Sequence, residues 1–418
     1  MDASGIVIVG AGQSGLQLAG SLRDEGYAGR ITLIGDEPTL PYQRPPLSKS
    51  YLSGDVAADD LVLEAADFFA RTRIEWLQGE RVVALNRQQR QIELLSGASF
   101  GYAHLVLATG SRNRLLPGLQ APLQGLHSLR SIVDAQNLKS ELESARNVVV
   151  VGAGFLGLEV AAIAAVRGAR VHVVEATGRT MERAISPVLS QLFRARHEAA
   201  GVQFSFDAMV IRLQEREGRV SAVQLADGRV LEADLVLVAI GVVPNAELAA
   251  EAGLEVRNGV VVDDCLTTQD PSISAIGDCA AFSQASLGFG LARLESVQNA
   301  VDQARYLAKR LATGIDGGAY EQVPIFWSEQ CGLRLQIAGL ATRDDQSVVR
   351  GDPATNQLSV LRYRDGQLVA LESVNRPADH MAARKLLARR LSPTLEQAVD
   401  PGFDLRAFAN TPPQLERA

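Results

Sequence analysis

The chain has 418 residues, of which 47% are hydrophobic and 21% are charged, a composition typical of a globular protein of about three domains. Its formal net charge of −7 argues against a surface built for nucleic acid, and apolar runs such as LVLVAIGVV are too short for a membrane span. Three widely spaced cysteines and scattered histidines predict no metal site, and together with an N-terminus that lacks a basic signal segment they favour a cytoplasmic protein.

The first predicted elements are two apolar strands, at 6–10 and 31–35, with a helix between them. The connecting turn, GAGQSG, carries its glycines at Gly10, Gly12 and Gly15. In such a turn the first glycine permits a tight bend, the second lets the backbone approach a pyrophosphate, and the third lets the helix lie against the strand. Asp36 and its neighbour Glu37 follow the second strand, where an acid can bind an adenosine ribose. This βαβ unit is therefore expected to hold a dinucleotide.

In the next stretch regular secondary structure is interrupted twice. Residues 41–50, PYQRPPLSKS, carry three prolines and predict an irregular loop. Residues 105–118, LVLATGSRNRLLPG, predict a buried strand that runs into a turn.

A second unit begins at Asn147 and repeats the first. The segment VVVVGAGFLGLE places Gly152, Gly154 and Gly157 in the same order, and Glu175 ends the following strand. Two complete units imply two adenine dinucleotides, and in most such pairs a flavin is resident and a nicotinamide is exchanged.

The remaining chain predicts a meander of strands at 218–241, with a hairpin turn at Asp227 and Gly228, and a helix over 295–314 closed by Gly314. From about Pro324 the pattern changes to an α+β module with a basic helix at 380–391, and residues 411–418 predict a loose tail.

Together, GAGQSG, PPLSKSYL, LVLATG, GAGFLGLE, AIGVVPN, AIGDCA, RLESVQNA and FWSEQ resemble the two-dinucleotide flavoproteins, and most closely the putidaredoxin reductase-like NADH-dependent ferredoxin reductases. The resemblance spans residues 6 to about 391. It implies an α/β fold with two Rossmann-like domains, one for FAD (1–111 and 242–322) and one for NAD (112–241), followed by a C-terminal α+β domain (323–418).

The resemblance also assigns site residues. Those implied to bind FAD, non-covalently, are Gly10, Gly12, Ser14, Gly15, Asp36 or Glu37, Lys49, Val82, Ala108, Thr109, Gly110, Arg130, Gly277, Asp278, Glu295, Ser296, Val297 and Trp327. Those implied to bind NADH are Gly152, Gly154, Phe155, Leu156, Gly157, Glu159, Glu175, Arg183 and Gly241. Lys49 is implied to lie beside the isoalloxazine, and Glu159, which needs a partner in its apolar helix, is expected to pair with Lys49 and to act with it in catalysis.

The region 42–52 contains no cysteine, whereas disulfide reductases of the wider family carry a cysteine pair there. Electrons are therefore expected to leave for an external acceptor. The resemblance implies a [2Fe–2S] ferredoxin that serves a cytochrome P450 or a ring-hydroxylating dioxygenase. A rubredoxin reductase, and a redox-sensing flavoprotein related to apoptosis-inducing factor, remain as alternatives.

An acidic ferredoxin requires a basic docking surface. The helix at 295–314 carries Arg305, Lys309 and Arg310, and the helix at 380–391 carries Arg384, Lys385, Arg389 and Arg390. We expect these side chains, and Arg305, Arg310, Arg384 and Lys385 above all, to lie around Trp327 as the docking site.

Overall fold

The computed structural model describes residues 5–116, 123–284, 288–315 and 317–411. The predicted tail from Pro412 onward lies outside these residues. Within them, no helix has the length and apolar character needed to cross a membrane.

The described strands are β1 (Ile6–Val9), β2 (Ile31–Gly35), β3 (Ile74–Gln78), β4 (Val82–Asn86), β5 (Gln91–Leu94), β6 (Ser99–Gly101), β7 (His104–Leu107), β8 (Ser111–Asn113), β9 (Leu126–His127), β10 (Asn147–Val151), β11 (Arg170–Val174), β12 (Gln203–Ser205), β13 (Val210–Arg216), β14 (Arg219–Leu225), β15 (Val230–Glu232), β16 (Leu235–Val238), β17 (Val242–Pro244), β18 (Val260–Val261), β19 (Ile273–Ala275), β20 (Ala280–Gln284), β21 (Phe289–Ala292), β22 (Ile325–Gln330), β23 (Leu333–Gly339), β24 (Gln346–Asp352), β25 (Gln357–Arg364) and β26 (Gln367–Val374).

The described α-helices are α1 (Gln13–Asp24), α2 (Ser50–Ser53), α3 (Asp67–Thr72), α4 (Ile132–Leu142), α5 (Phe155–Val166), α6 (Pro187–Ala199), α7 (Glu247–Glu251), α8 (Val297–Thr313), α9 (Pro377–Ala388), α10 (Leu395–Val399) and α11 (Leu405–Ala409).

The chain divides into two compact units, which we describe separately. Unit 1 comprises Met1–Arg44, Ala57–Arg112 and Val242–Pro324, and unit 2 comprises Pro45–Val56, Asn113–Gly241 and Ile325–Ala418. The three-domain boundaries given above remain a prediction.

Unit 1 is built on a parallel sheet in the order β19-β7-β1-β2-β3. Its central strands are buried and nearly continuous in apolar residues, as expected for a parallel sheet covered on both faces. Helices α1 and α8 pack against each other. Two small sheets complete the unit: β4-β5-β6, which is antiparallel, and β18-β20-β21, which is mixed.

Unit 2 contains a second parallel sheet, β12-β11-β10-β16-β9, and the antiparallel meander β13-β14-β15. The predicted hairpin at Asp227 and Gly228 joins β14 to β15. The C-terminal part is an antiparallel sheet, β22-β23-β26-β25-β24, on which α9 packs. The predicted fold class, two Rossmann-like cores and an α+β module, is confirmed.

Three local predictions need correction. The strand predicted for 6–10 ends at Val9, because Gly10 turns the chain with φ +107°. The proline-rich segment 41–50 is partly helical: Pro45–Ser48 forms a 3₁₀ turn and α2 follows directly. The basic helix ends at Ala388, since Arg390 adopts a left-handed conformation with φ 54°, so Arg389 and Arg390 lie beyond it.

A buried glutamate connects the C-terminal sheet to the start of α6 inside unit 2. Glu372 on β26 accepts a hydrogen bond of 2.6 Å from the Arg362 guanidinium. Its second oxygen accepts the Ser186 backbone N–H at 2.8 Å, and Ser186 is the N-cap residue of α6. One carboxylate therefore neutralises a buried arginine and satisfies an amide at a helix N-terminus.

Candidate active site

The first glycine turn is shaped by packing at two positions and by open space at the third. A Cβ at Gly10 would lie 2.2 Å from the Ala108 carbonyl oxygen, and one at Gly15 would lie 1.9 Å from the Gly10 oxygen. A Cβ at Gly12 would meet no described heavy atom within 4 Å. The fold therefore requires glycine at the two outer positions, whereas Gly12 leaves room at the start of α1, where uncapped amides can bind an anion.

The second turn, in unit 2, has the same geometry. Gly152 has φ +108°, and a Cβ there would lie 2.4 Å from the Ala239 oxygen. A Cβ at Gly157 would lie 2.2 Å from the Gly152 oxygen, and one at Gly154 would again reach no atom of the described chain within 4 Å. Phe155 and Leu156 begin α5 directly after this space. Each unit thus offers a cradle that fits a dinucleotide pyrophosphate.

Gly277 brings the AIGDCA segment against the first turn. Its φ is +75°, and a Cβ there would lie 2.6 Å from Ser14 Oγ, so glycine allows the close approach. The Gly277 N–H donates to Gln303 Oε1 of α8 at 2.7 Å. The next residue, Asp278, accepts a hydrogen bond of 2.9 Å from Ser111 Oγ. The aspartate is therefore fixed beside the turn.

The end of the LVLATG segment is held by Asn245. Thr109 Oγ1 donates to the Asn245 carbonyl at 2.6 Å, and Asn245 Nδ2 donates back to the Thr109 carbonyl at 2.9 Å. The Asn245 N–H also donates to the Gly110 oxygen. These bonds fix the backbone that contacts Gly10.

The start of α8 lies near the same aspartate. Ser296 Oγ accepts the Asn299 N–H at 3.0 Å and caps the helix, whose first residue is Val297. Arg293 donates to the Asp278 carbonyl at 3.1 Å and pairs with Glu295 at 2.6 Å. Unit 1 therefore brings together the first turn, Ala108–Gly110, Gly277, Asp278 and the 295–297 segment.

The two acids after β2 are in different environments. The Asp36 side chain is 57% exposed and lies 3.3 Å from Arg81. Glu37 accepts a hydrogen bond of 2.5 Å from Tyr42 and pairs with Arg44. Asp36 therefore presents the more accessible carboxylate.

The remaining predicted FAD residues are distributed over both units. Val82 is the first residue of β4 in unit 1. Arg130, whose N–H donates to Asp134, and Trp327 on β22 belong to unit 2, as does Lys49. Their contacts with a flavin stay predictions.

Lys49 and Glu159 form the expected pair inside unit 2. Glu159 on α5 is only 4% exposed. One carboxylate oxygen accepts Lys49 Nζ at 2.7 Å and Ser48 Oγ at 2.5 Å, and the other accepts Ser328 Oγ at 2.5 Å. The buried charge is thus matched by an ammonium and two hydroxyl groups.

Glu175 is fixed at the second turn. Its carboxylate accepts the Ala153 N–H at 2.6 Å and both the N–H and hydroxyl of Thr177 at 2.9 Å. Arg183 is exposed, and its guanidinium lies 3.8 Å from the position of a Cβ on Gly241. Arg179 donates to the carbonyls of Ile185 and Glu182, so its guanidinium is used within the loop.

The predicted docking residues differ in availability. Arg305, Lys309, Arg384 and Lys385 are exposed on their helices. Arg310 donates to the Cys265 carbonyl and to Thr267 Oγ1, at 3.1 and 2.7 Å, and therefore has an internal structural role. Lys385 lies 3.1 Å from Asn410 Oδ1. Since α8 and α9 belong to different units, their grouping around Trp327 stays a prediction.

Sequence reasoning missed several polar residues that hold the site. They are Ser48, Ser111, His197, Asn245, Gln303, Ser328 and Gln330. One signal was available: Ser328 and Gln330 are polar residues two apart in the strand IFWSEQ, which places them on one face. The others form contacts between segments far apart in sequence and carry no local pattern.

Comparison with known proteins places this fold among flavoprotein-type oxidoreductases. The pyridine nucleotide-disulphide oxidoreductase family model matches residues 4–304, and the reductase C-terminal model matches residues 325–409. The chain therefore belongs to the pyridine nucleotide-disulphide oxidoreductase family and is an oxidoreductase, which confirms the resemblance read from its motifs.

Relatives match the chain over almost its whole length. Rhodocoxin reductase of Rhodococcus erythropolis is 50% identical over 401 residues, covering 96% of this chain and 93% of the relative. A rubredoxin-NAD(+) reductase of Pseudomonas putida is 41% identical over 373 residues, covering 89% and 96%. The crystal structure of a covalent putidaredoxin reductase–putidaredoxin complex matches with a TM-score of 0.94 and 36% identity, covering 97% of this chain and 98% of the other.

Proposed function

We propose that this protein is a cytoplasmic NADH-dependent ferredoxin reductase that passes electrons from NADH through non-covalently bound FAD to a [2Fe–2S] ferredoxin, which in turn serves a cytochrome P450 or a ring-hydroxylating dioxygenase. The observation that carries the proposal is the pair of turns with matching geometry, each leaving open space beside its central glycine, Gly12 or Gly154. Relatives that include rhodocoxin reductase support the choice of acceptor.

Bound FAD would supply the chemistry of accepting a hydride and releasing electrons singly. The residues of the first turn and α1 would bind its pyrophosphate, Asp36 its ribose, and Asp278 its sugar or phosphate region. The second turn and Glu175 would bind NADH. The Lys49–Glu159 pair of unit 2 would orient the reacting groups. Because the 42–52 segment has no cysteine, the electrons need an acceptor outside the chain.

A rubredoxin reductase is the second candidate, since one relative carries that name. Cytochrome c reduction by NADH and the purified protein should depend on an added [2Fe–2S] ferredoxin. Rapid rubredoxin reduction, with no activity toward any [2Fe–2S] ferredoxin encoded beside the gene, would favour the second candidate. A long-lived complex with NADH and almost no turnover with either would indicate a redox-sensing protein.

The first prediction is that FAD is released from the protein intact. We expect acid or heat precipitation to leave a yellow supernatant, because no residue stands in a recognisable flavin-attachment motif. The absorption spectrum of the supernatant and chromatography against authentic FAD provide the measurement. Flavin retained in the denatured pellet would contradict non-covalent binding.

The second prediction concerns Asp278. We expect Asp278→Ala to lower FAD occupancy by about tenfold or more, since a carboxylate that accepts sugar hydroxyls contributes about 1.5–3 kcal/mol per hydrogen bond. Cys279→Ala is the matched control, because this neighbouring thiol is fully buried and donates to backbone carbonyls. The flavin-to-protein absorbance ratio measures occupancy, and equal losses in both variants would remove Asp278 from the proposed ligands.

The third prediction separates the two kinds of glycine in the second turn. Gly154→Ala should leave the melting temperature nearly unchanged, since its Cβ meets open space, yet raise the Kd for NAD⁺ by about tenfold, the effect of losing about 1.4 kcal/mol of binding. Gly157→Ala should instead destabilise the protein, because its Cβ would lie 2.2 Å from a backbone oxygen. Calorimetry and nucleotide titration test both. Unchanged nucleotide affinity in Gly154→Ala would mean that the space has another purpose.

A further inference from the structure

A continuous hydrogen-bonded chain runs from α6 through β22 to the buried Glu159 carboxylate, entirely within unit 2. His197 Nε2 lies 2.8 Å from Gln330 Oε1, and Gln330 Nε2 donates to Ser328 Oγ at 3.0 Å. Ser328 Oγ then donates to Glu159 at 2.5 Å. All four residues are buried. The far side of the same carboxylate holds Lys49.

The direction of every hydrogen bond in this chain follows from the carboxylate. Glu159 accepts, so Ser328 must donate to it and accept from the Gln330 amide N–H₂. Gln330 then presents its carbonyl oxygen to His197, whose Nε2 must carry the proton. Burial lowers the pKa of His197, against the opposing effect of the Gln330 hydrogen bond, so the ring is neutral near pH 7.

The other ring nitrogen is consistent with this direction. His197 Nδ1 is then an acceptor, and Cys331 Sγ lies 3.5 Å from it. Burial raises the pKa of the Cys331 thiol, with Arg196 acting in the opposite sense, so the thiol keeps its proton and can donate. The donors therefore point in one direction, from Cys331 through His197, Gln330 and Ser328 to the negative charge.

The periodicities of β22 and α5 explain how these residues meet. Phe326, Ser328 and Gln330 alternate along one face of β22, and Phe155 and Glu159 lie one turn apart on α5. Phe326 packs on Phe155 with ring centroids 4.3 Å apart, and Ser328 reaches Glu159 one step further along. Trp327 occupies the opposite face of the strand. The C-terminal sheet thus contributes a polar contact directly to the predicted catalytic pair.

We propose that Ser328, Gln330 and His197 are positioning residues that fix the Glu159 carboxylate and, through it, the Lys49 ammonium for hydride transfer. This inference rests on the proposed function, because it assigns the Lys49–Glu159 pair to the reaction between NADH and FAD. Gln330 is held from two sides, by His197 and Ser328, so it aligns the Ser328 hydroxyl, which has rotational freedom by itself.

Ser328→Ala is the principal test, with Gln330→Met as a second variant that removes the amide at similar length. Ser373→Ala is the matched control, because Ser373 is a fully buried serine of the same sheet. Its hydroxyl donates to the Gln336 carbonyl and does not take part in the hydrogen-bonded chain that ends at Glu159. Ser328→Thr keeps the hydroxyl and should restore the parent behaviour. All variants are prepared as flavin-containing holoenzyme.

Two measurements are made. Anaerobic stopped-flow absorbance gives the limiting rate of flavin reduction by NADH, which Ser328→Ala should lower by about tenfold, the effect of one lost hydrogen bond to a charged group. Acetic anhydride labelling, without nucleotide, gives the reactivity of Lys49 relative to the exposed Lys309, and this ratio should rise several-fold. Gln330→Met should change the reduction rate and the labelling ratio in the same directions as Ser328→Ala, but by less. Ser373→Ala should change neither the rate nor the ratio.

Lower thermal stability in Ser328→Ala and Gln330→Met, with the reduction rate and the Lys49 labelling ratio at parent values, would overturn the proposal and leave a structural role. Equal effects of Ser373→Ala would overturn it as well. Failure of the proposed function gives a different result, since NADH would then not reduce the flavin of the parent protein. In that case an unchanged labelling ratio would separately refute the positioning of Lys49.

Discussion

NADH should support turnover with a kcat/KM roughly a hundredfold higher than NADPH. A 2′-phosphate beside Glu175 would place like charges together, at roughly 4 kcal/mol for a separation of about 4 Å and an effective dielectric near 20, reduced by solvent screening. The carboxylate cannot easily turn away, because Ala153 and Thr177 donate three hydrogen bonds to it. Ferricyanide reduction with each nucleotide measures the ratio without a protein partner.

Glu175→Gln tests the cause of this preference. The amide keeps the shape and one acceptor but removes the charge, so we expect the NADH-to-NADPH ratio to fall by about tenfold, or about 1.4 kcal/mol. Glu182→Gln is the control, since Glu182 is a nearby acid that accepts the Gly178 N–H. Arg183 is exposed, whereas the Arg179 guanidinium donates to two carbonyl groups. Comparable kcat/KM values for the two nucleotides in the parent protein would refute the role of Glu175.

Reversing charge at Arg305 and Arg384 should raise the KM for ferredoxin by about tenfold and flatten its dependence on ionic strength. Long-range attraction to an acidic partner raises the association rate and is screened by salt, so its loss changes both quantities together. Arg305→Glu and Arg384→Glu are measured singly and combined. Arg310 is left intact because its hydrogen bonds to Cys265 and Thr267 support unit 1.

Two controls test the docking prediction: an arginine-to-glutamate change elsewhere on the surface, and the small electron acceptor ferricyanide, which needs no docking site. Arg212→Glu reverses an exposed arginine on β13 and should leave the ferredoxin KM close to the parent value. NADH–ferricyanide activity should be nearly unchanged in every variant. If ferricyanide reduction falls in parallel with ferredoxin reduction, the arginines serve folding or flavin binding and the docking site lies elsewhere.

The parallel sheets and their turns could be predicted because their determinants are local. Gly10 and Gly152 follow apolar strands directly, and each precedes a helix within three residues, so sequence spacing encodes the geometry. The end of the basic helix could not be predicted in this way. The pattern MAARKLLARRL continues the helical period, while the left-handed conformation of Arg390 ends it.

The charged pair of the site could be predicted from the sequence, but the polar residues that orient it could not. The apolar helix around Glu159 indicated that its charge needs a partner, and the family resemblance implied that the partner is Lys49. The hydrogen bonds that orient them could not be predicted, because they join residues far apart in sequence. Ser328 is 169 residues from Glu159, and His197 is 133 residues from Gln330. Serine and histidine also occur so often outside sites that neither indicates a role until its neighbours are known.

The bond between Glu372 and the Ser186 amide limits how genes of this kind can recombine. A crossover placed between residues 186 and 372 would combine the Ser186 segment of one parent with the part of the C-terminal sheet that carries residue 372 from another. Unless the donor sheet carries an acid at this position, the chimera leaves the buried Ser186 amide without its acceptor, at a cost of about 1–3 kcal/mol. Exchange of C-terminal modules, in nature or in the laboratory, should therefore succeed chiefly between parents that share this carboxylate.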